Sequence, residues 1–286
     1  MPLIEQAIDR LERLWGKRPV PAAIKSDRDE RAVFEICSPS GNVVVKTDAQ
    51  GFRLPRELAA LAAAAVAGIP VPKVVHADTS LPTLLVLALI GGAPLQAGTG
   101  DQAWREAGRW LRELHSLKPP SDVRGMGSPD RTWREHFLWW ANHECEILRQ
   151  AGSVDPATVE RTHYVLTEVF GAMSEPELRL LHGDCQEEHF LVRPDGGIAG
   201  IIDFGDACRG DPVWDLAVLT IRSPERLEEL LAGYMPEPVL DQRMQELLPA
   251  YQLMRHIGSA RWMNEHGFDG ATDLEAAQRV LDQSIR

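Results

Sequence analysis

The chain has 286 residues, 44% hydrophobic and 25% charged, which argues against a disordered chain and supplies enough apolar material for a sizeable core. Lys and Arg number 30 against 42 Asp and Glu, a formal charge of −12. That sign argues against nucleic acid or an anionic membrane as the main partner, since phosphates attract cationic faces. The cysteines, Cys37, Cys145, Cys185 and Cys208, form no C-x-x-C pair, so neither a disulfide framework nor a zinc knuckle is indicated. The N-terminus lacks the apolar core of a secretory signal. The longest apolar stretches, 58–66 and 84–90, fall short of the ~20 residues that span a bilayer, so a soluble cytoplasmic protein is expected.

Residues 1–15 place Leu3, Ile4, Ala7, Ile8, Leu11, Leu14 and Trp15 on one helical stripe, ended by Pro19 and Pro21. Three β-like runs follow, a weak one at 22–25 and better ones at 32–37 and 42–47. Ser38-Pro39-Ser40-Gly41 reads as the hairpin turn between the last two. The Ala- and Leu-rich segment 56–67 predicts a helix stopped by Gly68. Strands are expected at 71–76 and 84–90, before Gly91-Gly92-Ala93-Pro94 breaks the chain. Helices are then expected at 101–117, with Asp101 as N-cap, at 131–151, and from Asp155-Pro156 to 173. Segments 178–181 and 190–193 flank a polar loop, 198–203 is a further strand, and the chain after Pro212 reads as mostly helical. The pattern predicts an α+β, bilobal architecture. An antiparallel-sheet lobe, 1–92, precedes a larger helical lobe, 93–286, with a cleft between them.

The chemistry concentrates in 180–219. Apolar strands there end in His182-Gly183-Asp184 and in Asp203-Phe204-Gly205-Asp206. Acids at strand ends, followed by glycine turns, can converge and suit a hard divalent cation. Phosphoryl transfer needs one acid for the attacking hydroxyl and another for the metal on the nucleotide phosphates. Taken singly, each Asp is equally a turn or cap residue.

This stretch resembles the aminoglycoside phosphotransferase family, small-molecule kinases with a protein-kinase-like fold. The resemblance rests on His182-Gly183-Asp184 with His189, on Ile202-Asp203-Phe204, and on Gly210-Asp211-Pro212-Val213-Trp214-Asp215-Leu216. It implies that Asp184 is the catalytic base and that Asp203 and His189 bind Mg²⁺ on ATP or GTP. His189 stands where most members carry Asn. Imidazole must be neutral to bind metal and is softer than an amide oxygen, so lower activity at acid pH and tolerance of Mn²⁺ are expected. His182 and Asp215 are expected to brace the loop. Asp211 fits a helix N-cap at least as well as a ligand.

Upstream, Lys46 ends the run Val43-Val44-Val45, and Glu57 is its natural partner on the next helix, as in kinases that hold the α/β-phosphates. The phosphate-covering loop is expected near 26–31, with Ser26 as a contact. It has no glycine, unlike a protein kinase. Backbone groups of Ala88 and Ile90 are expected to meet the purine. Asp206, Glu187 and Glu188 are candidate contacts to amino groups of the acceptor. Trp133, Trp139, Trp140 and Trp262 are core residues or walls of the acceptor pocket. The expected activity is O-phosphorylation of a small hydroxylated molecule, of aminoglycoside or macrolide type, with no nucleic acid or membrane partner. The alternatives are a catalytically silent nucleotide-binding protein, a choline- or sugar-type metabolic kinase, and a metal-dependent phosphohydrolase.

Overall fold

Alternating apolar residues build the first sheet in the computed structural model, which describes residues 2–28, 30–38, 41–152, 154–237 and 239–284. Pro39 and Ser40, at the centre of the expected hairpin turn, lie outside the described residues, as does Asp29 in the expected phosphate-covering loop. Strands β1 (Pro21–Arg28), β2 (Arg31–Ser38), β3 (Gly41–Asp48), β4 (Val74–Asp78) and β5 (Thr83–Ala88) form an antiparallel sheet of order β1-β2-β3-β5-β4. Ala32, Phe34 and Ile36 of β2 and Val43 and Val45 of β3 point to one face. There they bury Ile4, Ala7, Ile8 and Leu11 of α1 (Leu3–Trp15). On the other face Leu85 and Leu87 pack with Leu54 and Leu61 of α2 (Arg53–Val66) in the main core.

Several boundaries differ from the sequence reading. β1 is a full edge strand with two register shifts, a setting that tolerates its polar residues. Ser26 therefore sits inside β1 opposite Val33, and β1 runs on to pair Arg28 with Arg31, so most of the expected loop is strand. α2 starts at Arg53 rather than at residue 56, because Pro55 is tolerated in a first helical turn. β5 ends at Ala88, so Ile90 lies beyond the sheet.

The remainder is mainly helical. It comprises β6 (Ala93–Pro94), α3 (Asp101–Ser116), α4 (Trp133–Ala151), α5 (Pro156–Ala172), β7 (Arg179–Leu181), β8 (Phe190–Val192), β9 (Ile198–Ile201), β10 (Cys208–Gly210), α6 (Pro212–Leu219), α7 (Leu227–Tyr234), α8 (Gln242–Glu265) and α9 (Ala271–Ser284). Thr132 opens α4 with a capping box to Glu135, and Asp155 caps α5 through the Thr158 N–H. Gly100, not Asp101, is the N-cap of α3, and Asp101 sits in the first turn paired with Arg226 at 3.1 Å. The expected strand 198–203 is β9, and segments 178–181 and 190–193 hold β7 and β8; β6, β10 and the pairings β7–β10 and β6–β8–β9 were not foreseen. Two- and three-residue strands carry no periodicity to read. Phe137 of α4 meets Phe170, Trp214 and Tyr251 at ring separations of 4.8–5.4 Å, and Trp133 donates its indole N–H to Tyr251 at 2.7 Å. Trp133 is thus a core residue. No described helix is long and apolar enough to cross a membrane.

His136 of α4 is 5% exposed and packs against Gly127. Burial, helped by Arg131, pushes its pKa from 6.5 down to about 4. The unfolded chain therefore binds a proton that the folded chain refuses between those values. Stability present above pH 6.5 is lost as the pH falls towards 4, by up to about 2–3 kcal/mol. Urea unfolding at pH 7 and pH 4.5 should show a smaller acid loss for His136→Gln than for wild type. Equal losses in both would remove His136 from this role.

Candidate active site

The loop after β7 is held from below by α6. Asp215, fully buried, accepts the backbone N–H of His182 at 2.7 Å and of Gly183 at 3.0 Å, and lies 3.1 Å from His115 Nε2. Trp214 donates its indole N–H to the Gly183 carbonyl at 2.9 Å. Gly183 has φ +84°, and any Cβ there would collide with the Asp206 carbonyl oxygen. Only glycine lets the two acidic loops approach this closely. His182 is buried, with Nε2 2.8 Å from the Ile202 carbonyl oxygen and its ring against His189 and Phe204. Burial and neighbouring His189 push its pKa down, so it stays neutral.

Asp184 opens this loop to the cleft. Its Oδ1 accepts from Arg255 of α8 at 2.5 Å, and Gln186 donates its amide to both oxygens at 3.0 Å. Burial raises its pKa, but Arg255 and His189 outweigh burial and hold the carboxyl below the usual range. His189 Nδ1 lies 2.7 Å from the Asp184 carbonyl oxygen. A carbonyl only accepts, so Nδ1 carries a proton and Nε2 is the ring nitrogen turned away from this bond.

Asp203 adopts the left-handed backbone conformation, φ 64°, which costs about 1 kcal/mol or more in a non-glycine residue. That turn presents its Oδ1 to Lys46 Nζ at 2.8 Å and to Arg31 Nη2 at 3.4 Å. Lys46 also reaches Glu57 Oε1 at 2.5 Å. Burial acts to raise the Asp203 pKa, but Lys46, His189 and Arg31 pull it far below the carboxylate range. Burial acts to lower the Lys46 pKa, but Glu57 and Asp203 raise it further, so the ammonium persists.

A cavity of about 580 Å³ opens over these loops. The sheet half contributes Ser26, Arg31, Asp48, Arg53 and Arg56; the helical half contributes Asp184, Gln186, Asp206, Met126, Arg255 and the rings of Trp140, Trp214 and Trp262. Asp206 lies 3.6 Å from Arg56. Lys46 and Glu57 line a small adjoining recess with Arg31 and Arg53.

Other expected contacts fall elsewhere. Glu188 pairs with Arg222 at 3.1 Å, and Glu187 bonds Ser223, with burial pushing its pKa up; neither lines the cavity. The single 3₁₀ turn Glu187–His189 turns successive side chains in different directions, and only His189 faces Asp184. The Ala88 N–H, expected at a purine, already donates to the Lys73 carbonyl at 2.9 Å, and the Ile90 side chain packs onto Gly200. Trp139 stacks on His143 and lies under Arg131, away from the cavity. Asp211 caps α6 through the Val213 N–H at 3.1 Å and accepts from Tyr251 at 2.8 Å, so it is a buried brace.

Among the described residues no group of three or more His, Cys, Asp or Glu side chains gathers for a metal. Asp203 and His189 instead offer two ligands, which suits Mg²⁺ that keeps waters and nucleotide phosphates as its other ligands. A resident, fully protein-caged ion does not fit.

A family model described as the phosphotransferase enzyme family matches residues 21–247. The chain belongs to the phosphotransferase enzyme family. It is a small-molecule kinase, passing a phosphoryl group to an alcohol. Its fold is shared with aminoglycoside phosphotransferase APH(4)-Ia, crystallised as a thermostable mutant with ADP and hygromycin B. That similarity has a TM-score of 0.73 at 18% identity, covering 98% of this chain and 99% of the other. Spectinomycin phosphotransferase APH(9)-Ia, in complex with ADP and spectinomycin, matches at TM-score 0.69 and 16% identity over 99% and 94%. Macrolide 2'-phosphotransferase MphH from Brachybacterium faecium matches at 0.64 and 17% over 99% of each chain. No curated protein sequence matches. Sequence reasoning missed Arg255 and Gln186, which grip Asp184 in this phosphotransferase. Gln186, two residues from Asp184, was within reach of a loop argument; Arg255, on a distant helix, was not.

Proposed function

We propose that this phosphotransferase moves the γ-phosphate of ATP or GTP to a hydroxyl of a macrolide-like antibiotic in the cytoplasm, with residues 1–92 carrying the nucleotide and 93–286 the acceptor. The observation that supports this acceptor class is the wall beside Asp184. Trp140, Trp262 and Met126 line the cavity, and the Arg255 cation reaches into it to hold Asp184. Aromatic faces suit the apolar side of a sugar-bearing macrocycle. A polyamine would meet Arg255 and find Asp184 and Asp206 already paired, with Asp48 on the sheet side as the lining carboxylate that has no ion pair among the described residues, while Glu187 and Glu188 lie outside the cavity.

In this reading Asp184 accepts the acceptor hydroxyl. Arg255 holds Oδ1, so Oδ2, which carries only the Gln186 amide, is the oxygen left for it. Lys46, fixed by Glu57, holds the nucleotide phosphates, with Ser26 on the sheet side of the adjoining cavity. Asp203 and Nε2 of His189 in its neutral form would hold Mg²⁺, which neutralises phosphate charge when bound. The transition state of phosphoryl transfer is loose, so positioning supplies most of the catalysis. ADP release measured across macrolides, aminoglycosides and amino alcohols tests the acceptor. Release should follow a macrolide and stay at background with aminoglycosides. Turnover confined to aminoglycosides or to choline-like amines would overturn the macrolide assignment.

A further inference from the structure

In kinases a glycine-rich loop lets backbone N–H groups cover the phosphates. Here the sequence that joins β1 to β2 has no glycine. Three guanidinium groups occupy the same rim of the cavity: Arg31 at the start of β2, and Arg53 and Arg56 in the opening turns of α2. They gather on a chain whose formal charge is −12, so general surface charge does not account for them.

Their partners are incomplete. Among the described residues the carboxylate within ion-pair distance of Arg31 is that of Asp203, at a long 3.4 Å and already taken by Lys46. Arg56 lies 3.6 Å from Asp206, and its Nε is buried with no hydrogen-bond partner. Arg53 has no carboxylate within ion-pair distance among the described residues and rests over the Phe52 ring, 5.6 Å from its centroid. Buried or half-buried donors left this way call for an acceptor with several oxygens and negative charge. A guanidinium fork matches a phosphate group in both geometry and charge.

We infer that Arg31, Arg53 and Arg56 form a guanidinium cradle for the terminal phosphate of the nucleotide, taking the place of a glycine-rich loop. The inference rests on the nucleotide dependence proposed above. It specifies which side chains read the phosphate farthest from the base, so discrimination between ATP and AMP lies in these arginines. An anionic group on the acceptor is the other possible source of the same chemistry, and the experiment separates the two.

Calorimetric titration of wild type, Arg53→Ala, Arg53→Lys and the Arg53→Ala/Arg56→Ala pair with ATP, ADP and AMP, each with Mg²⁺, provides the test. Arg53→Ala should weaken ATP binding about tenfold, as expected for losing a charge-assisted hydrogen bond, while AMP binding stays unchanged. Arg53→Lys should recover part of the loss, and the thermal midpoint without nucleotide should not move. Unchanged ATP affinity in the double variant overturns the cradle. Unchanged ATP affinity with a raised acceptor KM would assign these arginines to the acceptor instead. Wild-type protein that binds neither ATP nor GTP would remove the nucleotide reading itself.

Discussion

Asp184→Asn lowers kcat by about 10²–10⁴-fold while leaving ATP affinity near that of wild type. The carboxylate is held by Arg255 and Gln186, and both contacts orient it rather than bind nucleotide. An amide at this position can still meet Arg255 through its oxygen, so the fold should persist and thermal melting should change little. What disappears is the anion that orients the hydroxyl and takes its proton. Steady-state kinetics with a working acceptor, paired with calorimetric ATP titration, separates the two effects. Turnover within tenfold of wild type would remove Asp184 from catalysis. A parallel loss of ATP affinity would make it a nucleotide ligand.

Asp215→Ala destabilises the protein by about 3–5 kcal/mol, the range expected when a buried, multiply bonded charge is removed. Asp215 is fully buried and accepts the N–H groups of both His182 and Gly183, besides facing His115. Its loss leaves two backbone donors unsatisfied next to Asp184, so urea unfolding and activity should fall together. Asp215→Asn keeps the shape but only one accepting oxygen, and should retain an intermediate stability. A midpoint shift under about 1 kcal/mol in Asp215→Ala would mean that the loop is held by its other contacts, chiefly the Trp214 indole.

The acidic loops were legible because strand, glycine and carboxylate follow one another within a few residues, as in His182-Gly183-Asp184 and Asp203-Phe204-Gly205-Asp206. The Lys46–Glu57 pair was legible for a related reason: a strand and the next helix are close in sequence, and the ion pair forms at 2.5 Å. Arg255 was not, because it reaches Asp184 across 71 residues and sits in a helix with no local signature. Arg53 was hidden by the late start assumed for α2, whereas Arg56 opened the expected helix but was given no role; beginning the helix at Arg53 puts both near the same rim. Glu187 and Glu188 misled because adjacency in sequence to Asp184 does not fix direction in a 3₁₀ turn, and Arg222 and Ser223 draw them outward. Ser26 lines the cavity from a strand and not from the expected loop, since an edge strand with register shifts shows no clean alternation.

The decisive measurement is a crystal structure of the wild-type protein with AMP-PNP, Mg²⁺ and an acceptor. The expected result has the terminal phosphate between Arg31 and Asp184, Mg²⁺ touching Asp203 and His189 Nε2, and the acceptor hydroxyl donating to Asp184 Oδ2. A triphosphate lying outside this cleft, or a hydroxyl oriented by some other side chain, would contradict it.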